Sequence, residues 1–233
     1  MKRRLLAIGI GALAGAGVYL ALRRIPRADK PEPGKRTIAC IGDSITYGAG
    51  VKRTRRIDAW PYVLNRRLGG DYCVLNYGVS GATARDDGDF PYREHGFLPE
   101  AEKAGAELTL LMLGTNDSKP YNWDKDGYER DILRLIGELR SCGGQLVLLL
   151  PPKAFPAEDG VVAFDIRDEV ISDEILPILR RAAEDLALPV IDLYAFTQDH
   201  PEYFDDGVHP NVIGNHAIAD HVCTRLSELG LLG

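Results

Sequence analysis

Cysteine is scarce in this sequence and is never closely paired. The four cysteines of the 233-residue chain are Cys40, Cys73, Cys142 and Cys223, and no Cys-x-x-Cys motif occurs. Structural zinc sites and redox-active dithiols use closely spaced cysteine pairs, so neither is predicted and no metal is expected. Four cysteines in a chain of this length also do not make a disulfide scaffold, which leaves the redox compartment open.

Nucleotide-binding motifs are absent as well. The first apolar, strand-like run, which ends near residue 42, is not followed by Gly-x-Gly-x-x-Gly, and the chain contains no P-loop motif. The sequence therefore gives no support for a nucleotide, and no cofactor is expected. Neither an internal repeat nor a low-complexity segment is evident, so one globular domain with an N-terminal appendage is the simplest organisation.

Basic residues are scarce outside the N-terminus. Residues 37–233 contain 19 Lys and Arg against 32 Asp and Glu, a net charge of −13, whereas residues 1–36 contain nine against two, a net charge of +7. An acidic body lacks the basic face that phosphate contacts require, so nucleic acid is not an expected partner. The local exception, Lys52, Arg53, Arg55 and Arg56, is interpreted as a solvated loop.

One long apolar segment is present at the N-terminus. Leu5 to Leu22 carries no charge over 18 residues, and as a helix it would span roughly 27 Å, close to the hydrocarbon core of a bilayer. We predict a membrane anchor within residues 1–24, a linker over 25–36 and an extracytoplasmic domain over 37–233. A cleaved signal, which would leave the domain secreted, is the alternative, because Lys2-Arg3-Arg4 precedes the apolar run and Ala14-Gly15-Ala16 offers a cleavage site.

Strand-like apolar runs alternate with helical patterns from residue 37 onward. The runs cover 37–42, 72–77, 108–113, 145–150 and 189–193, the helical patterns cover 58–68, 128–142, 168–186 and 212–229, and 86–99 is expected to be an irregular loop. Strands that are apolar throughout and connected by helices form parallel sheets with both faces covered. The sequence therefore predicts an α/β fold, a three-layer α/β/α sandwich with a parallel five-stranded sheet.

Polar residues follow three of these strands and precede the last helix. The segments are Gly42-Asp43-Ser44, Asn76-Tyr77-Gly78-Val79-Ser80-Gly81, Gly114-Thr115-Asn116-Asp117 and Asp206-Gly207-Val208-His209. The carboxyl ends of parallel strands meet at one edge of a sheet, where open α/β folds bind their ligands. We therefore expect these segments to meet at that edge.

The side chains in these segments are those that nucleophilic catalysis requires. A serine hydroxyl needs a base within hydrogen-bond reach, and that base needs a third group to fix its tautomer. We predict Ser44 as the nucleophile, His209 as the base and Asp206 as the group that orients it. The backbone NH groups of Ser44 and Gly81, with the Asn116 side-chain amide, are the predicted donors to a developing oxyanion.

Alternatives exist for the serine and the histidine. Gly78-Val79-Ser80-Gly81-Ala82 approximates the Gly-x-Ser-x-Gly nucleophile elbow, with Ala82 in place of the final glycine, so Ser80 competes with Ser44. His200, in Asp199-His200-Pro201, competes with His209. Packing of His209 in a turn capped by Asp206 is the structural alternative to catalysis.

Together, and in this order, the four segments resemble the motifs of the SGNH (GDSL-like) hydrolase family. The match runs from residue 37 to about residue 216, with Ile45 where the family name implies leucine. The resemblance implies a flavodoxin-like sandwich, metal-independent ester hydrolysis and the roles assigned above to Ser44, Asp206 and His209. It also implies that Asp43 mainly holds the turn that carries the nucleophile.

The continuation Ser118-Lys119-Pro120-Tyr121-Asn122-Trp123 resembles the branch that includes carbohydrate O-acetylesterases. That resemblance implies a serine esterase that acts on a small-molecule or glycan ester, with O-acetyl groups on a carbohydrate as the expected target. Tyr121 and Trp123 are predicted to stack on a sugar ring, or alternatively to cover an edge of the core. A lysophospholipase or thioesterase and an inactive glycan-binding surface protein stay open as alternatives.

Overall fold

A five-stranded sheet lies at the centre of the computed structural model, which describes residues 28–232. Its strands are β1 (Arg36–Gly42), β2 (Tyr72–Gly78), β3 (Leu108–Met112), β4 (Gln145–Leu150) and β5 (Val190–Asp192). They are arranged in the order β2-β1-β3-β4-β5, and every neighbouring pair is parallel. The predicted parallel five-stranded sheet is confirmed.

Helices of very different lengths connect the strands. They are α1 (Ser44–Tyr47), α2 (Arg55–Asp58), α3 (Trp60–Leu68), α4 (Tyr92–His95), α5 (Leu98–Ala104), α6 (Lys125–Ser141), α7 (Asp168–Val170), α8 (Leu176–Asp185), α9 (Leu193–Thr197) and α10 (Val212–Glu228). A π-helical segment, Ile171–Ile175, joins α7 to α8. Asn211 caps α10, because its side chain accepts a hydrogen bond from the Gly214 NH.

Two apolar cores cover the two faces of the sheet. Along β1, Ile38 and Cys40 belong to the core formed with α3 and α10, whereas Ala39 and Ile41 belong to the core formed with α6 and α8. Successive side chains of a strand point to opposite faces, so a strand between two cores must be apolar at almost every position. The three-layer sandwich is therefore confirmed, and it explains why the strand runs show no polar alternation.

The helical patterns differ from the structure in three places. The pattern over 58–68 is divided at Ala59, whose ψ of 138° is extended, and the Asn215 side chain accepts a hydrogen bond from the Trp60 NH that opens α3. The pattern over 168–186 is formed by α7, the π-helical segment and α8 in succession, and Pro177 is the second residue of α8, after right-handed helical backbone at Ile175 and Leu176. Residues 86–99 contain α4 and the start of α5, turns too short for a visible period.

The described part of the predicted linker lies against the domain. The Asp29 carboxylate accepts hydrogen bonds from Tyr62 Oη (2.8 Å) and from the Asn76 NH (3.1 Å) of the edge strand β2, and Tyr77 Oη donates to the Asp29 carbonyl (3.1 Å). Within residues 28–232, no helix has both the length and the apolar character needed to cross a bilayer. The predicted anchor, residues 1–24, falls outside the described residues.

Candidate active site

The nucleophile candidate lies where β1 turns into α1. Asp43 caps α1, since its Oδ1 accepts a hydrogen bond from the Ile45 NH at 2.9 Å, and Ser44 is the first residue of the helix. Gly78, at the end of the neighbouring strand, allows this close packing, because a Cβ there would lie 2.2 Å from the Tyr47 nitrogen. The sequence thus places Ser44 at the carboxyl edge of the sheet through a capped turn that glycine accommodates.

Ser44, His209 and Asp206 form one continuous hydrogen-bond chain. His209 Nε2 lies 2.9 Å from Ser44 Oγ, and Nδ1 of the same ring lies 2.7 Å from Asp206 Oδ2. The other carboxylate oxygen, Asp206 Oδ1, accepts hydrogen bonds from the backbone NH groups of Val208 (3.0 Å) and His209 (2.7 Å). The structure therefore brings together three side chains that sequence reasoning grouped, with the serine 165 positions from the histidine.

Asp206 is held in its charged form. Partial burial on its own would raise the pKa of this carboxyl, but the hydrogen bonds from the His209 ring and from the backbone NH groups outweigh burial and lower the pKa to about 2. A carboxylate at Nδ1 fixes the imidazole tautomer that leaves Nε2 as an acceptor facing the hydroxyl. The arrangement can thus take up a proton from Ser44.

A cavity of about 290 Å³ opens beside Ser44 and His209. Gly81 and Asn116, the predicted oxyanion donors, line it. Gly81 has a φ of +84°, in the left-handed region that glycine adopts without strain. Asn116 Nδ2 donates to the Ala82 carbonyl at 3.1 Å, which uses one of its two hydrogens and leaves the other for a substrate oxygen.

Two buried carboxyl groups support the site from behind. Both Asp117 oxygens accept backbone hydrogen bonds, from the NH groups of Ala84 (3.0 Å) and Arg85 (2.9 Å), which ties the loop after β2 to the segment after β3. Burial raises the pKa of Asp117 to about 7 and that of Asp43 to about 6, against the hydrogen bonds that lower them. Sequence reasoning did not find this bracing role of Asp117.

Three lining residues were also missed by sequence reasoning. Phe164 meets the His209 ring edge-on, with centroids 4.9 Å apart, and its φ of 63° is unusual for a residue with a Cβ. Lys52 and Lys119 line the same cavity. Phe164 lies in a stretch without a periodic pattern, so nothing in the sequence marks it, whereas Lys119 follows the Asn116 segment closely enough to have been considered.

The predicted sugar-stacking residues lie apart from the cavity lining. Tyr121 is 59% exposed, and Trp123 is partly buried with its ring centroid 5.7 Å from that of Tyr128. Neither belongs to the described residues that line the 290 Å³ cavity. The contact of Trp123 fits the alternative in which it covers an edge of the core, while sugar stacking stays a prediction for both residues.

The competing serine and histidine differ in their surroundings. Ser80 lines the same cavity, but its buried Oγ has no hydrogen-bond partner among residues 28–232. His200 lies outside the cavity lining, where its Nδ1 pairs with Glu202 Oε1 at 2.8 Å and its ring stacks on Tyr203. The geometry therefore favours Ser44 and His209, because these two side chains contact each other at the cavity.

Comparisons with known proteins cover the part of the chain that contains this site. Residues 40–217, which include all of its predicted residues, match the model of the GDSL-like Lipase/Acylhydrolase family. An acetylxylan esterase from Xylanibacter ruminicola is 33% identical over 210 residues, or 81% of this chain and 42% of that protein. The chain thus spans less than half the length of this relative.

Solved structures share the fold. A carbohydrate acetylesterase family member from Sinorhizobium meliloti has a TM-score of 0.68 at 25% identity, over 84% of this chain and 99% of its own. An aryl esterase from M. smegmatis has a TM-score of 0.64 at 22% identity, over 83% and 99% of the two chains. Because the family match covers well over half of the sequence and every segment of the site, the chain belongs to the GDSL-like lipase and acylhydrolase family.

Proposed function

We propose that this protein is a serine esterase that removes O-acetyl groups from a carbohydrate. The observation that carries the proposal is the hydrogen-bond chain from Asp206 through His209 to Ser44 at the wall of a cavity. His209 Nε2 takes the Ser44 proton as Oγ attacks the ester carbonyl carbon. The same imidazolium then gives that proton to the departing sugar oxygen, and the acyl group stays on Ser44.

Negative charge on the carbonyl oxygen is stabilised in this reaction by fixed donors. The Ser44 and Gly81 NH groups and the Asn116 amide are the donors we assign to it, because all three residues line the cavity. In the second half of the reaction, His209 removes a proton from water, the resulting hydroxide attacks the acyl carbonyl, and Ser44 leaves with its proton restored. No cofactor takes part in either half of the proposed cycle.

The size and lining of the cavity support a short acyl group. Its volume of about 290 Å³ is at the small end of ligand pockets, and Phe164, Ile166 and Val208 supply apolar walls. The acetyl substrates named for the Xylanibacter and Sinorhizobium relatives agree with a small acyl group. A lysophospholipase would instead need room for a long chain.

The proposal is tested by comparing acetyl with octanoyl p-nitrophenyl esters and by measuring acetate released from acetylated saccharides. We expect a higher kcat/KM for the acetyl ester and acetate release from the saccharide. Preference for the octanoyl ester would favour the lipase alternative. Failure of a fluorophosphonate probe to label the wild-type protein would favour the inactive glycan-binding alternative, and undiminished turnover by Ser44→Ala would remove the nucleophile assignment.

We also propose that Leu5 to Leu22 anchors the domain to a membrane. The support is the uncharged 18-residue run alone. Expression of the full chain followed by membrane fractionation and alkaline extraction tests it: an anchored protein stays in the pellet at full length. A soluble product shortened at its N-terminus would indicate cleavage instead.

A further inference from the structure

Two lysines line the cavity beside the Ser44 hydroxyl. Lys119 is only 7% exposed, and it belongs to the lining together with Ser44 and His209. Lys52 is exposed and contributes to the same lining. Apart from His209, these lysines are the only titratable side chains among the described residues that line the cavity. The cavity lining therefore carries two lysine ammonium groups and, among the described residues, no carboxylate, while the charged Asp206 lies behind the His209 ring.

Neither lysine is neutralised by an ion pair. Several other lysines of the described chain have carboxylate partners, namely Lys35 with Glu32, Lys125 with Glu174 and Lys153 with Asp168. Across residues 28–232, by contrast, no carboxylate oxygen lies within 4.0 Å of Nζ of Lys52 or Lys119, and Lys119 Nζ makes no hydrogen bond. Because no carboxylate of the described residues is paired with it, the Lys119 ammonium can meet an anionic group of a molecule that enters the cavity.

The nearest buried acid does not fill this role. Lys119 is close enough to Asp43 to lower its pKa somewhat, yet burial still keeps that pKa raised to about 6. One Asp43 oxygen is used by the Ile45 NH, and the carboxylate forms no ion pair with the lysine. The Lys119 side chain contributes instead to the cavity wall, with Nζ 5.9 Å from the centroid of the Tyr121 ring.

The basic residues near the cavity stand out against an acidic domain. Residues 37–233 carry a net charge of −13, so this part of the chain on average repels anions. Lys52 also lines a second cavity of about 380 Å³ together with Arg53 and Arg56, of which Arg56 is paired with Asp29 at 3.3 Å. The basic cluster that begins at Lys52, interpreted from sequence as a solvated loop, therefore reaches the site through Lys52.

We propose that Lys119, assisted by Lys52, binds the carboxylate of an acidic sugar, so that the preferred substrate is an O-acetylated uronic acid or a glycan that contains one. The inference rests on the proposed esterase function and specifies its substrate class. The sugar carboxylate replaces the missing counter-charge of Lys119 while the acetyl ester on the same ring faces Ser44. A charge-assisted hydrogen bond of this kind forms with the substrate and disappears with its neutral analogue.

The test compares two substrates that differ in charge alone. Methyl glucuronoside acetylated at one ring hydroxyl and the matching acetylated glucuronamide are hydrolysed at low ionic strength, and the ratio of their kcat/KM values is measured. We expect the wild-type enzyme to favour the acid, and Lys119→Met to lower the ratio by about tenfold, the size of one charge-assisted hydrogen bond. Lys119→Arg, which keeps the charge, should restore part of the preference.

A matched control separates a local contact from overall charge. Lys103 is exposed on α5, away from the cavity lining, so Lys103→Met removes the same charge and should leave the ratio unchanged. A ratio that falls equally in Lys103→Met and Lys119→Met would overturn the inference. A wild-type ratio near one that is unchanged in Lys119→Met would also overturn it. Neither result would contradict the esterase function, provided that acetate is released.

A binding measurement on the wild-type protein covers the case in which Lys119→Met does not fold. Unacetylated methyl glucuronoside should inhibit hydrolysis of p-nitrophenyl acetate more strongly than the glucuronamide, and added salt should remove the difference. Equal inhibition by both would overturn the inference. Absence of acetate release from any ester would instead remove the proposed function, and the inference with it.

Discussion

Two turns between α9 and α10 each pair a histidine with a carboxylate. His209 Nδ1 lies 2.7 Å from Asp206, and His200 Nδ1 lies 2.8 Å from Glu202. The second ring nitrogen distinguishes them, because His209 Nε2 faces Ser44 Oγ at 2.9 Å. His200 instead stacks on Tyr203, with ring centroids 4.6 Å apart. Both turns therefore contain a histidine hydrogen-bonded to a nearby carboxylate, and only the contact with Ser44 makes the His209 turn a candidate for catalysis.

The two carboxylates are also held differently. Asp206 accepts two backbone NH groups on one oxygen and the imidazole on the other, and its side chain is 39% exposed. Glu202 is 60% exposed, and the hydrogen bond from His200 lowers its pKa. An ion pair with this degree of exposure contributes little to stability, because water competes for both partners. The Asp206 turn is thus the more rigid support for an imidazole.

Exchange of each histidine gives the largest expected difference between the two turns. His209→Ala removes the proposed base and should lower kcat for p-nitrophenyl acetate by about 10⁴-fold or more. His200→Ala removes an equivalent pair outside the cavity lining and should leave kcat within about twofold. A strong loss in His200→Ala with an active His209→Ala protein would reverse the assignment of the two turns.

Exchange of the two carboxylates sharpens the same comparison. Asp206→Asn keeps the size of the side chain but removes the charge that fixes the imidazole tautomer, so kcat should fall by about 10³ to 10⁴-fold. Glu202→Gln is the matched control and should have little effect. Burst kinetics with p-nitrophenyl acetate locate the loss, and an Asp206→Asn enzyme with wild-type kcat would show that the carboxylate only caps its turn.

Sequence reasoning located the Asp206 turn because its residues are close together and lie next to a helix start. Ser44 and Asn116 were found for a related reason, since each follows a buried strand directly. Phe164 and Lys52 lie on irregular segments, where no period relates a residue to the sheet edge. Their positions depend on how those segments pack over the finished domain, which local sequence does not specify.

The same limit applies to the helices. The pattern over 168–186 predicted a helical stretch, whereas the structure inserts a π segment, Ile171–Ile175, immediately before α8. The five-residue helix α9 escaped prediction because it is shorter than one amphipathic repeat. Long periodic segments and strand ends were therefore predictable, and the short pieces that shape the cavity rim were not.

Asn116 tests a part of the site that neither turn supplies. Asn116→Ala removes a proposed oxyanion donor and should lower kcat by roughly 10² to 10³-fold, about 2.7 to 4 kcal/mol, with a small change in KM. Asn122 donates to the Asn116 carbonyl at 2.9 Å and holds that segment, so Asn122→Ala is a useful comparison. A rise in KM at constant kcat in Asn116→Ala would indicate a ground-state contact instead.

Asp117 offers the smallest expected effect on activity and a distinct effect on stability. Its pKa is raised by burial to about 7 from an ordinary value of 3.8, opposite in direction to that of Asp206. A folded state that binds its proton more tightly than the unfolded chain is favoured at low pH, so this contribution is present below pH 3.8 and is lost as the pH rises towards 7. Asp206, whose pKa is lowered to about 2, has the opposite dependence: its contribution to stability is present above pH 3.8 and is lost as the pH falls towards 2.

Asp117→Asn removes this titration and should flatten the change in unfolding free energy between pH 4.5 and pH 7.5, with a residual slope from Asp43. The free energy of unfolding of the variant should also fall by about 1 to 3 kcal/mol at pH 4.5. An amide offers only one oxygen to the backbone NH groups of Ala84 and Arg85, and its own NH₂ then faces one of these two donors. Urea unfolding at the two pH values measures both effects, with the exposed Asp199→Asn as the control. An unchanged slope in Asp117→Asn would mean that this carboxyl stays charged in the fold, in which case its two backbone hydrogen bonds outweigh its burial.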